Sequence, residues 1–395
     1  MKWASAASDS ESFEEALDSC ASILNDSLGT DQPDLLVVFA SPHHSDYFDI
    51  LPKSLRSKID AANMVGCSAG GVIGNGREIE QRPGLSLTGA VLPDVDIVPF
   101  RVDSDSLPDL DSAPQVWEEL VRTEPSKDPS FLLLTDPFSI HSENLLMGLD
   151  YAFASSIKIG GMASGGQFEG SNALILDDQV YRSGAVGLAF HGNIIVDTIV
   201  AQGCRPIGIP MRVTKSDRNL LLELDDRPAL EVLREIYDAQ NERDQELVRD
   251  SLFLGVVMDE FKDDPQLGDF LIRNIVGMDP RVGALGIGEM LREGQIVQFH
   301  LRDALTSAEE LAALLARYTQ GEHRGDPTGA LLFSCLGRGM YLYGHPDHDT
   351  DLFRGAVGEV PLGGFFCNGE IGPVSGTTYI HGYTSSFGIF RPREA

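Results

Sequence analysis

The sequence predicts an α/β protein with mixed β-sheets covered by helices, packed as a layered sandwich, with an internally repeated N-terminal half and a related C-terminal half. Three observations carry this. Sliding the 395-residue chain against itself by 95 positions aligns two segments without a gap. Within each segment, short apolar runs alternate with stretches of helical periodicity. A glycine loop follows the second apolar run in both.

The elements can be justified in chain order. Residues 12–28 put Phe13, Leu17, Cys20, Ala21 and Leu24 on one face at spacings of three or four, which predicts an amphipathic helix. The strand run Leu36-Val37-Val38-Phe39-Ala40-Ser41-Pro42 falls on Phe131-Leu132-Leu133-Leu134-Thr135-Asp136-Pro137. Helical stretches at 47–62 and 142–155 follow. Gly66-Cys67-Ser68-Ala69-Gly70-Gly71 then falls on Gly161-Met162-Ala163-Ser164-Gly165-Gly166, and Gly89-Ala90-Val91 on Gly184-Ala185-Val186. A hairpin closes each copy. Trp117 and Leu120 mark the counterpart of the first helix, and the Asp/Ser/Pro-rich runs 103–114 and 123–129 read as linkers.

A second half begins after Leu224. Residues 228–239 read as a helix with Pro228 near its first turn, and 251–258, 270–276 and 295–301 as strands. Residues 306–318 form a strong helix, with Thr306 or Ser307 as N-cap and Glu309 and Glu310 in the first turn. A buried strand at 329–334 precedes Gly363-Gly364-Phe365-Phe366-Cys367-Asn368-Gly369-Glu370, a spacing that suggests a third use of the repeated unit. The expected division is an N-terminal helical segment at 1–33 and domains at 34–222 and 223–385.

Composition excludes whole classes of function. Sixty Asp and Glu against 30 Lys and Arg give a net charge of −30, which disfavours duplex nucleic acid and anionic membranes. Five scattered cysteines (Cys20, Cys67, Cys204, Cys335, Cys367) without C-x-x-C spacing read as reduced thiols. The first dozen residues lack the apolar stretch of a secretory signal, and no run of about 18 apolar residues would cross a membrane. The expected location is the cytoplasm.

Several motifs invite a chemical reading. Gly66-Cys67-Ser68-Ala69-Gly70 fits the G-x-S-x-G nucleophile elbow, which would make Ser68 the nucleophile of a hydrolase. The glycine-rich run that follows is a poor helix start, and the sliding alignment puts alanine opposite the serine, so context argues against the elbow. Exposed N–H groups on such a loop could instead cradle a small anion. No phosphate-binding P-loop occurs, and Gly286-Ile287-Gly288 lacks the third glycine of a dinucleotide fingerprint. His345-Pro346-Asp347-His348-Asp349 is the densest metal-like cluster, but its proline and polar flank read as a solvated loop, and no metal is assigned. His43 and His44 follow the first strand of the repeat, where pocket lining and helix entry are equally open readings. Buried on a glycine/proline turn, Glu370 would need a partner, either Arg338 or a ligand ammonium. His381, in the closing segment, would face the ligand or sit satisfied in a strand.

These stretches resemble a known family. Gly203-Cys204-Arg205-Pro206-Ile207-Gly208, Val213-Thr214, Leu224 and Pro228-Ala229-Leu230 are similar to the end of the N-terminal half of FIST-domain proteins. Residues 66–71 and 180–187 resemble that half's glycine loop and hairpin. Residues 335–339, Gly364-Phe365-Phe366, Gly369-Glu370-Ile371-Gly372-Pro373 and 381–384 resemble the C-terminal half. The likeness covers about 34–385. It implies a non-enzymatic sensory module that binds amino acids or related small carboxylates, with ligand contacts expected from Gly66, Cys67, Ser68, Gly70, Gly71, Arg338, Gly364, Phe366, Gly369, Glu370 and His381. Family members are often joined to signalling outputs. No output segment is expected in the flanks here, so the expectation is that the signal passes to a separate protein or that the chain has another use. Some relatives carry haem, which would need an axial histidine or cysteine that no motif here assigns.

Overall fold

The computed structural model describes residues 1–259, 262, 264–321 and 325–393. The chain forms two compact units, one of Met1–Val200, Ala312–Ile380 and Thr384–Ala395 and one of Ala201–Leu311 with His381–Tyr383. The chain thus leaves the first unit after Val200 and returns to it at Ala312.

The first unit is built from three copies of one pattern. Copy one runs β1 (Lys2–Ser8), α1 (Phe13–Leu28), β2 (Leu35–Ala40), α2 (Leu51–Arg56), β3 (Asn63–Ser68), the hairpin β4 (Gly71–Gly74) and β5 (Arg77–Glu80), and β6 (Leu85–Val91). Copy two runs β7 (Val95–Val102), α3 (Pro114–Val121), β8 (Ser130–Thr135), α4 (Ser142–Ala152), β9 (Lys158–Met162), the hairpin β10 (Leu174–Leu176) and β11 (Gln179–Tyr181), and β12 (Ala185–Gly192). Copy three opens with β13 (Ile195–Ala201). After the elements β14 (Cys204–Asp217), β15 (Leu220–Leu224), β16 (Arg227–Pro228), α5 (Ala229–Asp238), α6 (Glu242–Asp250), β17 (Leu252–Val257), β18 (Phe270–Asp279), β19 (Ala284–Ile287) and β20 (Ile296–Arg302), it resumes with α7 (Ala304–Gln320). Then come β21 (Gly329–Cys335), α8 (Gly339–Tyr343), α9 (His348–Val357), β22 (Leu362–Cys367), the hairpin β23 (Glu370–Val374) and β24 (Thr377–His381), and β25 (Ser385–Arg391). The third use suggested by the glycine run at 363–370 is therefore present, with a long insertion after its first strand.

Each copy lends its hairpin to another copy's sheet. The three six-stranded sheets read β1-β6-β2-β3-β10-β11, β7-β12-β8-β9-β23-β24 and β13-β25-β21-β22-β4-β5. In each, the central pair is parallel: β2 with β3, β8 with β9 and β21 with β22. One face of all three sheets meets in a shared core that includes Val37, Phe39, Leu132, Leu134, Phe333 and Phe365. Helices α1 and α2 cover the other face of the first sheet, and α3 and α4 that of the second. Strands buried on both faces explain why these runs are continuously apolar rather than alternating.

A glycine in the second parallel strand of each copy permits the tight pairing. A Cβ built on Gly66, Gly160 or Gly364 would stand 2.0, 1.8 or 1.9 Å from the carbonyl oxygen of Val38, Leu133 or Leu332. These three glycines face Ile175, Ile371 and Ile73 on the borrowed strands. The equivalence corrects the sliding alignment. Gly66 matches Gly160, not Gly161, because the connection after β8 is one residue shorter. Gly184 matches Gly84, not Gly89, since Asp136 and Ser41 donate their N–H groups to those two carbonyls.

Two other expectations change. Besides its helix, which Ser12 caps by accepting the Glu15 N–H, the segment 1–33 contains β1, paired along its length with β6. The stretch 47–62 holds only the short α2, preceded by a 3-10 turn, because Pro52 restarts the helix at its first turn.

The second unit is a seven-stranded sheet, β14-β20-β17-β18-β19-β15-β16, with α5 and α6 packed on one face over Val213, Leu233, Leu254 and Phe299. Buried His300 lies in β20, with Nδ1 3.0 Å from the Gln298 carbonyl. Burial lowers its pKa to about 4, so it is a neutral core histidine.

Gly364→Ala should cost more than about 4 kcal/mol, because the clash is with backbone that cannot move aside. Gly376→Ala, with nothing within 4 Å, should cost only the roughly 1–2 kcal/mol of a positive φ. Thermal unfolding followed by circular dichroism compares the two; equal losses would contradict the close-approach argument.

Candidate functional site

The ends of the second parallel strands bring the three glycine loops together. Ser164 N–H donates to the Ser68 carbonyl at 3.1 Å, and Asn368 N–H donates to the Met162 carbonyl at 3.1 Å. A side chain closes the third link. Gly70 N–H donates to Ser164 Oγ at 2.7 Å, and that hydroxyl donates to the Phe366 carbonyl at 2.5 Å. The loops thus form a hydrogen-bonded ring, with Leu336 packed so closely over Gly70 that a Cβ there would meet it at 2.4 Å.

Four of the eleven residues expected to touch a ligand, Ser68, Gly70, Phe366 and Gly369, take part in these hydrogen bonds. Gly66 and Gly364 are the close-approach glycines described above. Gly71 packs on the Phe366 ring, and the Gly369 carbonyl accepts the Met162 N–H at 2.9 Å. Cys67 points into the shared core, where burial pushes its thiol well up. Buried Ser68 ends β3 and is followed by β4 rather than a helix, so the elbow geometry is absent. Its hydroxyl donates to Asn172 Oδ1 at 3.1 Å and accepts the Ala173 N–H at 3.1 Å. Asn172 in turn donates to Asp136 at 2.9 Å. An amide oxygen cannot take the serine proton, so this chain positions Ser68 without activating it.

Glu370 is an exception to the internal symmetry. Its equivalents in the other copies, by register, are Val72 and Leu174, both in the shared core. The compensation is local: Thr384, where the other copies have Gly84 and Gly184, donates its N–H at 3.0 Å and its hydroxyl at 2.7 Å to Glu370 Oε2. Cys367 Sγ lies 3.5 Å from Oε1. Burial raises the Glu370 pKa to about 7 despite these hydrogen bonds.

Arg338 is not the hydrogen-bonded partner of Glu370. Fully buried, it donates Nε to Asp349 Oδ2 at 3.0 Å and Nη2 to Asp349 Oδ1 at 3.2 Å, with Nη2 also 2.7 Å from the Tyr343 hydroxyl. The stretch 345–349, read above as a solvated loop, is instead the entry to α9, with Asp349 buried among Arg338, His348 and Ser385. Burial pushes the Asp349 carboxyl up, but the Arg338 guanidinium and these hydrogen bonds override it and hold the group ionised. The same region anchors the borrowed hairpin. Glu78 accepts the Thr350 N–H at 2.9 Å and Glu80 the Met340 N–H at 2.8 Å. Burial, and then the Asp349 charge, raise the Glu78 carboxyl so that it keeps its proton. His381 groups with the second unit. His44 is buried beside Phe13, so helix packing accounts for it.

A cavity of about 280 Å³ opens elsewhere in the first unit, between β1, the β4–β5 turn and the end of α9. Trp3, Ser5, Asn75, Phe353, Arg354 and Glu359 are among its lining residues. Trp3 is buried and stacked on Phe390 at 4.6 Å, and its Nε1–H meets no acceptor. Arg354 donates Nη2 to Asp351 at 2.5 Å, while no hydrogen bond or ion pair joins Glu359 to another described residue. Neither motif nor periodicity pointed to these residues; they belong to segments that meet only when the hairpin is exchanged. No histidine or cysteine lines the cavity, so it offers no axial ligand for haem. Among the described residues no cluster of His, Cys, Asp or Glu has metal-binding geometry, and no helix is long and apolar enough to cross a membrane.

Two predictions separate positioning from ligand contact. Arg338→Ala should destabilise by about 3–5 kcal/mol by stranding Asp349; a variant with unchanged melting temperature would free Arg338 for a ligand. Glu370 holds its proton to about pH 7 when folded, against 4.5 for an ordinary glutamate. Its contribution is therefore complete below about pH 4.5 and lost as pH rises through about 7, a change of about 3 kcal/mol. Glu370→Gln should melt higher than the parent at pH 8, with the gap closing by pH 4.5. A gap independent of pH would refute this assignment.

Comparison with known proteins agrees with this architecture. The FIST N domain matches residues 34–227 and the FIST C domain residues 229–373. An uncharacterized protein of Mycobacterium tuberculosis is 37% identical over 358 residues, 91% of each chain. One of Mycobacterium bovis is 34% identical over 368 residues, 92% of each. A crystal structure of cyanuric acid hydrolase from A. caulinodans aligns over 99% of both chains at 9% identity and a TM-score of 0.38, too distant to carry an argument. The chain belongs to the FIST family, whose domains are linked to small-ligand sensing in signalling.

Proposed function

We propose that this chain is a sensor that binds an amino acid or related small carboxylate without turnover and passes the signal to a separate output protein. The observation that carries the reading is the cavity beside Trp3. At about 280 Å³ it has the room of about nine waters at ~30 Å³ each, enough for an amino acid and little more. Arg354 and Glu359 give its lining both charges, so a zwitterion would be met by opposite groups. Arg354 takes the carboxylate through its two-donor fork, Glu359 takes the ammonium, and the Trp3 indole N–H meets a further acceptor. The polar groups of the glycine ring satisfy one another, so the ring leaves the ligand to this cavity. Ser68, held by an amide and an N–H, favours binding over catalysis.

Binding here would act on the fold through its seams. The lining comes from β1 of copy one, the β4–β5 turn that copy one lends, and α9 of copy three, so a ligand would tighten the exchanged hairpin. Thermal shift of the whole chain against the twenty L-amino acids and small carboxylates tests the reading. A ligand at about 100 times its Kd should raise the melting temperature by about 5–10 °C, and Arg354→Gln and Glu359→Gln should each abolish the shift. No shift across the panel, or a full shift in both variants, would overturn it.

A further inference from the structure

Copy three departs from the other two at four neighbouring positions, and the departures form one chemical group. Cys335 stands where the other copies have Ser41 and Asp136, Cys367 where they have Ala69 and Ala163, Glu370 where they have Val72 and Leu174, and Thr384 where they have Gly84 and Gly184. Cys335 and Cys367 are direct register partners on parallel β21 and β22. Side chains of such partners lie on the same face, with Cα atoms about 4.8 Å apart, inside the range a disulfide spans. Cys335 is half-buried and so the less enclosed of the two, whereas Cys367 is fully buried. Each sulfur now has another contact: the Gly337 N–H at 3.4 Å for Cys335, and the Ser334 carbonyl at 3.3 Å for Cys367. Rotation about the Cα–Cβ bonds would turn the sulfurs toward each other.

We infer that Cys335 and Cys367 are a redox pair that closes to an intrachain disulfide on exposure to a hydroperoxide. Cys335, the less enclosed thiol, attacks the peroxide. An S–O bond forms, the O–O bond breaks, and the alcohol or water leaves with the thiol proton, so that Cys335 becomes a sulfenic acid. Cys367 then attacks that sulfur. The Glu370 carboxylate, 3.5 Å from Cys367 Sγ, accepts the thiol proton and returns it to the departing hydroxide, so that one S–S bond and one water result. The peroxide is reduced and the two thiols are oxidised, with no other reactant. Thr384 holds Glu370 in place for this transfer. The bond would lock β21 to β22 beside Leu336 and the glycine ring. This inference is independent of the ligand reading, since none of the four residues lines the Trp3 cavity.

The test treats the whole chain with hydrogen peroxide, counts thiols after denaturation and maps unreduced peptides by mass spectrometry. Two of the five thiols should disappear with the loss of two hydrogens, one peptide should join Cys335 to Cys367, and dithiothreitol should reverse both. Cys335→Ser should abolish the cross-link. Glu370→Gln should slow closure by at least about tenfold while a sulfenic-acid probe still labels Cys335 at the parent rate. Should Cys367→Ser fail to fold, Cys335→Ser and the peptide map of the parent chain decide. Over-oxidation of Cys335 with Cys367 still free, a bridge to another cysteine, or no loss at peroxide levels that oxidise free cysteine would each overturn the inference.

Discussion

Three backbone contacts govern the first unit: Gly66 against the Val38 carbonyl, Gly160 against Leu133 and Gly364 against Leu332. A side chain at any of them would push the parallel pair apart. With the strands in contact, the chain beyond each glycine reaches the ring, and the hairpin beyond the ring lands on a neighbouring sheet. The exchange is cyclic, so no copy completes its own sheet. Stability in such an arrangement is shared, because loosening one hairpin exposes the edge of another copy's sheet.

The hairpins are held by different chemistry in each case. Glu78 and Glu80 on the first hairpin accept backbone N–H groups at the starts of α9 and α8. Asp177, on the turn of the second, accepts the Met64 N–H at 3.0 Å. On the third, Thr378 donates its N–H and hydroxyl to Asp150, which also pairs with buried Lys158. Burial lowers the lysine's pKa, and the Asp150 carboxylate opposes that shift. A fold with repeated backbone geometry therefore carries individual polar locks, and those locks keep the copies from exchanging roles.

Both proposals rest on departures from the internal symmetry. At three equivalent positions two copies place small or apolar residues where the third places a thiol, a carboxyl and a hydroxyl, and at the fourth Cys335 replaces Ser41 and Asp136. A buried carboxyl is costly unless something is gained by it, and here Thr384 offsets part of that cost with two hydrogen bonds. The cavity beside Trp3 is likewise asymmetric, formed only where copies one and three meet. Binding at that seam would reach the ring through β1 and β22, which frame the shared core.

Much of this was legible in the residues. Apolar runs and glycine loops announced an α/β repeat, since backbone periodicity and glycine placement are local properties. The family resemblance rested on the same loops. Arg338 and Glu370 stood out as charges that needed partners, but not which partners: Asp349 and Thr384 lie on other elements, and only tertiary packing brings them into reach. The register of the repeat was ambiguous for a similar reason, because two adjacent glycines at 160 and 161 look alike until a neighbouring carbonyl selects one. Hairpin exchange and the Trp3 cavity were beyond any reading of spacing. They depend on which sheet edge each hairpin covers, a choice made by long-range strand pairing and not by the local chain.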